Sequence, residues 1–192
     1  MNSFFRIAAI AAVTAVSMQL TGCASLKMSP PAAALENTAK LRTANLAQAS
    51  VGSFTADSAK AGSDTSMSIR GGNSIEAPGG SFAKHLGETL KAELQSAGLF
   101  DAASTNVVTG TLTSSVLNSG MGTADGKLGA RFVVTRAGAV KYDRELTVDS
   151  TWESSFIGSV AVPAAANNYE GLYRKLITKL LDDGQFRSAL AK

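Results

Sequence analysis

The chain has 192 residues, of which 45% are hydrophobic, and a formal net charge of +3 at pH 7. That length and hydrophobic content suffice for one domain with its own core. Lysines and arginines are scattered along the chain, and no basic patch is interleaved with aromatic residues. The composition therefore excludes a nucleic-acid-binding surface of the usual basic kind, and so small a charge does not indicate a polyanionic partner.

The N-terminal residues have the layout of a secretory signal peptide. One basic residue, Arg6, precedes an alanine-rich apolar run over residues 7–16 that carries no charge. A membrane-spanning helix needs roughly 20 apolar residues, and polar residues interrupt this run from Ser17 onwards. We therefore predict that residues 1–22 are a signal peptide that is absent from the mature protein.

The single cysteine, Cys23, follows in the sequence LTGCAS. Leu20-Thr21-Gly22-Cys23 resembles the bacterial lipobox, which implies that Cys23 carries a diacylglycerol and an acylated amine and is the first mature residue. A lone thiol cannot form an internal disulfide, so lipidation is favoured over a buried or reactive free thiol. Two or three acyl chains, such as palmitate, hold a protein stably on a membrane. Because Ala24 and Ser25 follow in place of the aspartate typical of inner-membrane retention, the resemblance also implies sorting to the outer membrane.

The next residues, 23–44, are predicted to be a flexible tether, because two adjacent prolines and a run of alanines disfavour compact folding. A short helix over 33–41 is the one element expected within it. A globular domain is predicted over 45–192, and its first strands are expected at 46–56 and 67–72.

Two segments predict amphipathic helices. In the first, Ser81 is a plausible N-cap and Gly98 a C-cap. Each helix has an apolar stripe at spacings of three or four residues. The stripes consist of Phe82, Leu86, Leu90 and Leu94 in the first helix, and of Tyr169, Leu172, Tyr173, Leu176 and Leu180 in the second.

Between the helices, alternating apolar residues predict three strands, over 106–117, 128–134 and 140–152. Residues paired across antiparallel strands share a face, and a three-residue loop over 137–139 satisfies that parity. The resulting register pairs Val134 with Tyr142, Ala130 with Leu146 and Leu128 with Val148. It also sets Arg131 opposite Glu145 and Lys127 opposite Asp149, two charge matches that were not used to choose it.

The apolar alternation of the last strand continues through Phe156, Val160 and Val162, which predicts that the strand bends and runs to Pro163. The segment SSFIGSVAVPAAA either closes the end of the core or forms a contact surface, and the alternation favours core closure. The elements together predict an α+β fold in the order β-α-β-β-β-α. An antiparallel sheet of four to five strands would carry two helices on one face.

No set of residues in this sequence predicts an active site, so we expect the protein not to be an enzyme. The single histidine, His85, lies near the apolar stripe of the first helix and is interpreted as a boundary residue. Acids on the polar phase of the last strand, from Asp143 to Glu153, would suit a glycosidase only in a protected cleft, and two of them face basic partners. No spacing suits a metal, and the glycine-rich segment 71–80 lacks the phosphate-loop lysine.

A lipobox followed by a small domain of this element order resembles several groups of bacterial envelope lipoproteins. These are the YajG-type lipoproteins, the auxiliary lipoproteins of paraquat-inducible lipid transporters and, more loosely, the lipopolysaccharide-assembly lipoprotein. The resemblance is one of architecture over residues 46–190 and carries over one functional residue, Cys23. It implies an accessory subunit that chaperones or docks a larger envelope machine.

Two functions of different classes are therefore predicted. The first is a non-enzymatic outer-membrane lipoprotein that faces the periplasm, binds an envelope protein and has no cofactor beyond the covalent lipid on Cys23. The second is a periplasmic carrier that binds a lipid ligand in an apolar groove between helices and sheet, lined by Leu90, Leu94, Phe132, Trp152 and Phe156. A cavity at those residues would favour the carrier, whereas a packed core would favour the docking protein.

Overall fold

The computed structural model describes residues 25–192, so the signal-peptide segment and Cys23 lie outside the described residues. The strands are β1 (Ser25–Lys27), β2 (Ser50–Ala56), β3 (Ser66–Ser68), β4 (Ser74–Glu76), β5 (Asn106–Asn118), β6 (Gly122–Arg136) and β7 (Ala139–Ser154). The α-helices are α1 (Leu35–Thr43), α2 (Ser58–Ala61), α3 (Phe82–Ala97), α4 (Gly158–Asp182) and α5 (Gly184–Ala189), and 3₁₀ turns span Arg70–Gly72 and Pro78–Gly80. None of these helices is long and apolar enough to cross a membrane.

The main sheet has the strand order β2-β5-β6-β7, and α3 and α4 pack against it. This arrangement confirms the predicted α+β class. The structure differs in the direction of β2, which pairs with β5 in parallel, and in a second sheet of order β1-β4-β3. Parallel neighbours need a long crossover connection, and the segment containing α3 provides it between β2 and β5.

The β6–β7 hairpin has the predicted register over most of its length. All five predicted pairs are present, including Arg131 opposite Glu145 and Lys127 opposite Asp149. The Arg131 side chain, however, donates diagonally to Asp143 at 2.6 and 2.5 Å. The register was therefore predicted correctly from apolar parity, and the charged side chain Arg131 forms its ion pair with Asp143, the diagonal neighbour.

The tip of that hairpin differs from the predicted three-residue loop. Arg136 pairs with Ala139, which leaves the two-residue turn Ala137-Gly138, with φ of 49° and 81°. Two positive φ angles are the requirement of a type I′ turn. The shorter turn reverses the pairing parity, and an irregularity between Val134 and Thr135 restores it.

The predicted continuation of the last strand to Pro163 is wrong. Strand β7 ends at Ser154 and α4 begins at Gly158, so Pro163 lies inside the helix. The alanines of the segment AVPAAA decide the structure here, because they place small buried residues at helical spacing. The buried positions of α4 are Ala161, Val162, Ala165, Tyr169, Leu172, Tyr173, Leu176, Ile177, Leu180 and Leu181.

Residues 25–44 also differ from the predicted flexible tether, since they pack against the domain. Helix α1 buries Asn37, Thr38 and Leu41. The Glu93 Oε1 atom on α3 accepts hydrogen bonds from the Ala34 amide at 3.0 Å and from Asn37 Nδ2 at 2.9 Å. These contacts are polar and distant in sequence, so apolar periodicity could not predict them.

The core is most tightly packed around Phe54 on β2. A Cβ atom added to Gly87 on α3 would lie 2.8 Å from the Phe54 Cδ2 atom, and one added to Gly110 on β5 would overlap the ring edge. The ring also contacts Phe132 edge-on, with centroids 6.3 Å apart. Glycine at 87 and 110 therefore leaves room for the Phe54 ring between α3 and β5.

We expect Gly110→Ala to lower the free energy of unfolding by about 1–3 kcal/mol, because the added methyl group overpacks the core at Phe54. The matched control is Gly171→Ala on α4, where an added Cβ would meet nothing within 4 Å. This control should stabilise the protein by about 0.5–1 kcal/mol through helix propensity. Urea denaturation measures both, and equal effects of the two substitutions would contradict the packing constraint.

Candidate functional site

The five residues predicted to line a lipid groove do not enclose an open space: four belong to the packed core or its margin, and Phe156 is exposed. Leu90, Leu94 and Phe132 are at most 1% exposed and lie inside the core. Trp152 is partly buried at the core margin, and Phe156 is 78% exposed. Phe156 follows the end of β7, so it does not continue the inner face of that strand. The structure therefore fills the space between helices and sheet with side chains at the positions where a groove was predicted.

His85 is more deeply placed than the predicted boundary position. It is 4% exposed, its ring lies edge-on to Tyr173 with centroids 4.9 Å apart, and its buried Nδ1 atom has no hydrogen-bond partner. Burial lowers the pKa of His85 from its ordinary value of 6.5, against a smaller opposing effect of Glu170. His85 is therefore a core residue, deeper than the boundary position that the sequence predicted.

A short chain of buried hydroxyl groups lies beside His85. The Tyr169 hydroxyl is 2.7 Å from Ser115 Oγ and 3.0 Å from the Tyr173 hydroxyl. Burial raises the pKa of Tyr169 to about 12 and raises that of Tyr173 well above its ordinary value. Both tyrosines therefore stay uncharged near neutral pH, and their hydrogen bonds satisfy buried polar groups and join α4 to β5.

The acidic strand face has ordinary surface chemistry. Arg131 holds the pKa of Asp143 below its usual range through direct hydrogen bonds, while Glu145 accepts from Thr113 Oγ1 at 2.7 Å. Both carboxylates are at the surface, without the protected environment that raises the pKa of a general acid. Within residues 25–192, no three His, Cys, Asp or Glu side chains are grouped so as to hold a metal ion.

The most unusual surface feature is a group of large apolar side chains at one end of the main sheet. Gly122 pairs with Ser154, so the residue before β6 and the residues after β7 share that end. We call these four residues the apolar tip; their exposed fractions are 66% for Met121, 78% for Phe156, 64% for Ile157 and 55% for Val160.

Arg70 holds the two segments of the apolar tip in place. Its guanidinium Nη2 donates to the carbonyl oxygens of Ser155 at 2.9 Å and Phe156 at 3.3 Å. Its amide donates to Ser119 Oγ at 2.9 Å.

For the segment SSFIGSVAVPAAA, core closure was the favoured prediction, and it holds for Val162 but not for Phe156 or Val160. The flanking serines and Gly158, which are typical of a turn, were the signal for surface placement.

The fold has counterparts among bacterial proteins of known structure. A protein from Xanthomonas campestris, described as a member of the DUF330 family, superposes with a TM-score of 0.59 at 11% identity, covering 86% of this chain and 97% of that one. A Caulobacter crescentus protein provisionally named a lipoprotein has a TM-score of 0.44 at 13% identity, over 80% and 93% of the two chains. A hypothetical protein from Chlamydia trachomatis has a TM-score of 0.43 at 9% identity, over 71% and 96%.

At these identities the likeness to the Xanthomonas campestris protein shows the fold and nothing further. No family model and no curated protein sequence matches the chain. The function must therefore be argued from the residues and geometry described above.

We expect the free energy of unfolding to fall as the pH drops below about 6.5, in part because of His85. The folded-state pKa of His85 is depressed, so the unfolded chain binds the proton first and is favoured by acid. The variant His85→Phe keeps an aromatic edge against Tyr173 but cannot titrate. Denaturant titrations at pH 7.5 and 5.5, about one pH unit either side of the ordinary histidine pKa, measure the effect. The free energy of unfolding should fall more between these two conditions for the parent protein than for the variant. Parallel pH profiles would contradict this assignment.

Proposed function

We propose that the protein is a non-enzymatic lipoprotein of the outer membrane, anchored by lipid on Cys23 with its domain in the periplasm. In this proposal it acts as an accessory or docking subunit of an envelope assembly or transport system. The LTGC sequence after an apolar leader supports the anchor. The packed core supports a docking role over a carrier role, because Leu90, Leu94 and Phe132 fill the space that a lipid would need.

The alternative function, a lipid carrier, requires an apolar cavity of several hundred cubic ångströms. One groove of about 330 Å³ lies along β2 and α3, with Phe54 and Phe100 among its lining residues. Lys84, Glu88 and Lys91 line it as well, so it is a mixed polar surface rather than an apolar pocket. A carrier would have to use a surface groove such as this one, since the predicted groove residues are packed in the core or lie outside it.

Substitution of Cys23 tests the anchor directly. Cells that express the parent protein with radiolabelled palmitate should yield a labelled band in the outer-membrane fraction, because acyl chains on Cys23 hold the protein there. Cys23→Ser should be unlabelled and absent from that fraction, whereas the neighbouring control Ser25→Ala should behave as the parent. Label on Cys23→Ser would contradict the anchor, and labelled parent protein in the inner membrane would contradict the location.

Native mass spectrometry distinguishes the docking protein from the carrier. We expect the domain from Ala24 to Lys192, secreted to the periplasm and gently purified, to show the mass of the polypeptide, alone or with an envelope protein. A docking protein with a filled core has no space for a lipid. A co-purifying lipid-sized mass would contradict the docking role. Its loss in Phe100→Ala, but not in the exposed control Leu35→Ala, would locate the lipid in the groove along β2.

A further inference from the structure

The described chain begins at the same end of the molecule as the apolar tip. Strand β1 starts at Ser25, which pairs with Ser74 of β4. Ser74 follows closely after the 3₁₀ turn Arg70–Gly72, and Arg70 is the residue that holds Ser155 and Phe156. The first strand and the apolar tip are thus connected through one short segment.

The path of residues 25–44 along α4 gives the same orientation independently. The Ser29 amide donates to Glu170 at 3.1 Å, Asn37 Nδ2 donates to Thr178 at 2.9 Å, and Lys40 Nζ donates to Asp182 at 3.1 Å. Later residues of the segment meet later residues of α4, so the two run in the same direction. Ser25 therefore lies toward the start of α4 at Gly158, which adjoins the apolar tip.

The opposite end of the main sheet lies far from Ser25. It carries the β6–β7 turn, with Val140 60% exposed, and the C-terminus, where Arg136 Nη1 donates to the Ala191 carbonyl oxygen at 2.8 Å. Exposed apolar side chains at the two ends can therefore be compared with each other in one experiment.

The distance between the domain and its lipid anchor is short. Two peptide units from Cys23 to Ser25 span at most about 7 Å. Because residues 25–44 are packed against the domain, they supply no further reach. A lipid on Cys23 would hold Ser25, and the end of the sheet next to it, close to the membrane surface.

We propose that the apolar tip, formed by Met121, Phe156, Ile157 and Val160, inserts into the lipid interface beside the Cys23 anchor. This inference rests on the proposed lipidation of Cys23. Large apolar side chains gain free energy when they leave water for the acyl boundary, and a covalent anchor supplies the proximity. The β6 and β7 strands then stand with one end on the membrane, and the β6–β7 turn projects into the periplasm.

A fluorescence experiment on the full lipoprotein tests this orientation. Cys23 is the only cysteine, and its thiol is blocked in the lipidated protein, so an introduced cysteine is the single labelling site. Ile157→Cys and Val140→Cys, 64% and 60% exposed in the parent, form a matched pair for the environment-sensitive dye NBD. Each labelled lipoprotein is reconstituted into vesicles of phosphatidylethanolamine and phosphatidylglycerol, with and without doxyl-labelled lipid.

We expect the dye at position 157 to brighten about threefold on reconstitution and to be quenched by doxyl lipid, because it enters the interface. The dye at position 140 should change in neither respect. Adding Phe156→Asp should reduce the quenching at 157, since a charged side chain resists insertion. Equal, unquenched signals at both positions would overturn the proposed orientation. Intact mass spectrometry of the same samples checks the acyl chains, so a missing lipid, which refutes the anchor, is distinguished from an uninserted tip.

Discussion

The close packing of Phe54 against Gly87 and Gly110 is the constraint on which the helix-covered face of the sheet depends. It brings α3 directly onto β2 and β5, where a single methyl group would force the layers apart. The connection from β2 to β5, which contains α3, is a crossover, and β2 is a parallel strand at the edge of the sheet. The fully buried aromatic residues of α3 and α4 then fill the remaining space, which leaves no groove at Leu90, Leu94 and Phe132.

A second constraint is the polar docking of residues 25–44 onto that helical layer. Glu93 is fully buried, and its Oε1 atom accepts from Ala34 and Asn37, so separating α1 from α3 would leave hydrogen-bonding groups unpaired. In the proposed lipoprotein, this packing leaves a short link between the domain and Cys23, so the lipid would fix the orientation of the domain. A long tether would let the domain rotate freely above a membrane, whereas a packed one presents a defined end to it. The apolar tip lies at that end, so in the proposed lipoprotein it would lie next to the membrane surface.

The sequence predicted those features that repeat along a strand or helix. The stripes of α3 and α4 and the β6–β7 register follow from apolar spacing, and the charge pairs supported the register. Prediction from the sequence failed where the conformational preference of a few residues differs from the repeating apolar pattern. The Ala137-Gly138 turn needed positive φ at a non-glycine residue, and the alanines after Val160 were counted as strand although they suit a helix. The candidate groove was not decided by the sequence, because apolar residues in a pattern do not reveal whether the space between them is filled. The surface placement of Phe156 and Val160 was the less favoured of the two interpretations of their segment.

The outer edge of β7 is covered by side chains of α4. An open strand edge is a template for unwanted pairing with another chain. Two lysines of α4 occupy that edge, since Lys175 Nζ donates to the Asp149 carbonyl oxygen at 2.5 Å and Lys179 Nζ to that of Thr147 at 2.8 Å. A neighbouring strand would have to displace both ammonium groups to pair there. The same helix thus covers the core, begins at the apolar tip and blocks edge pairing along the middle of β7, so the three roles are coupled through its position.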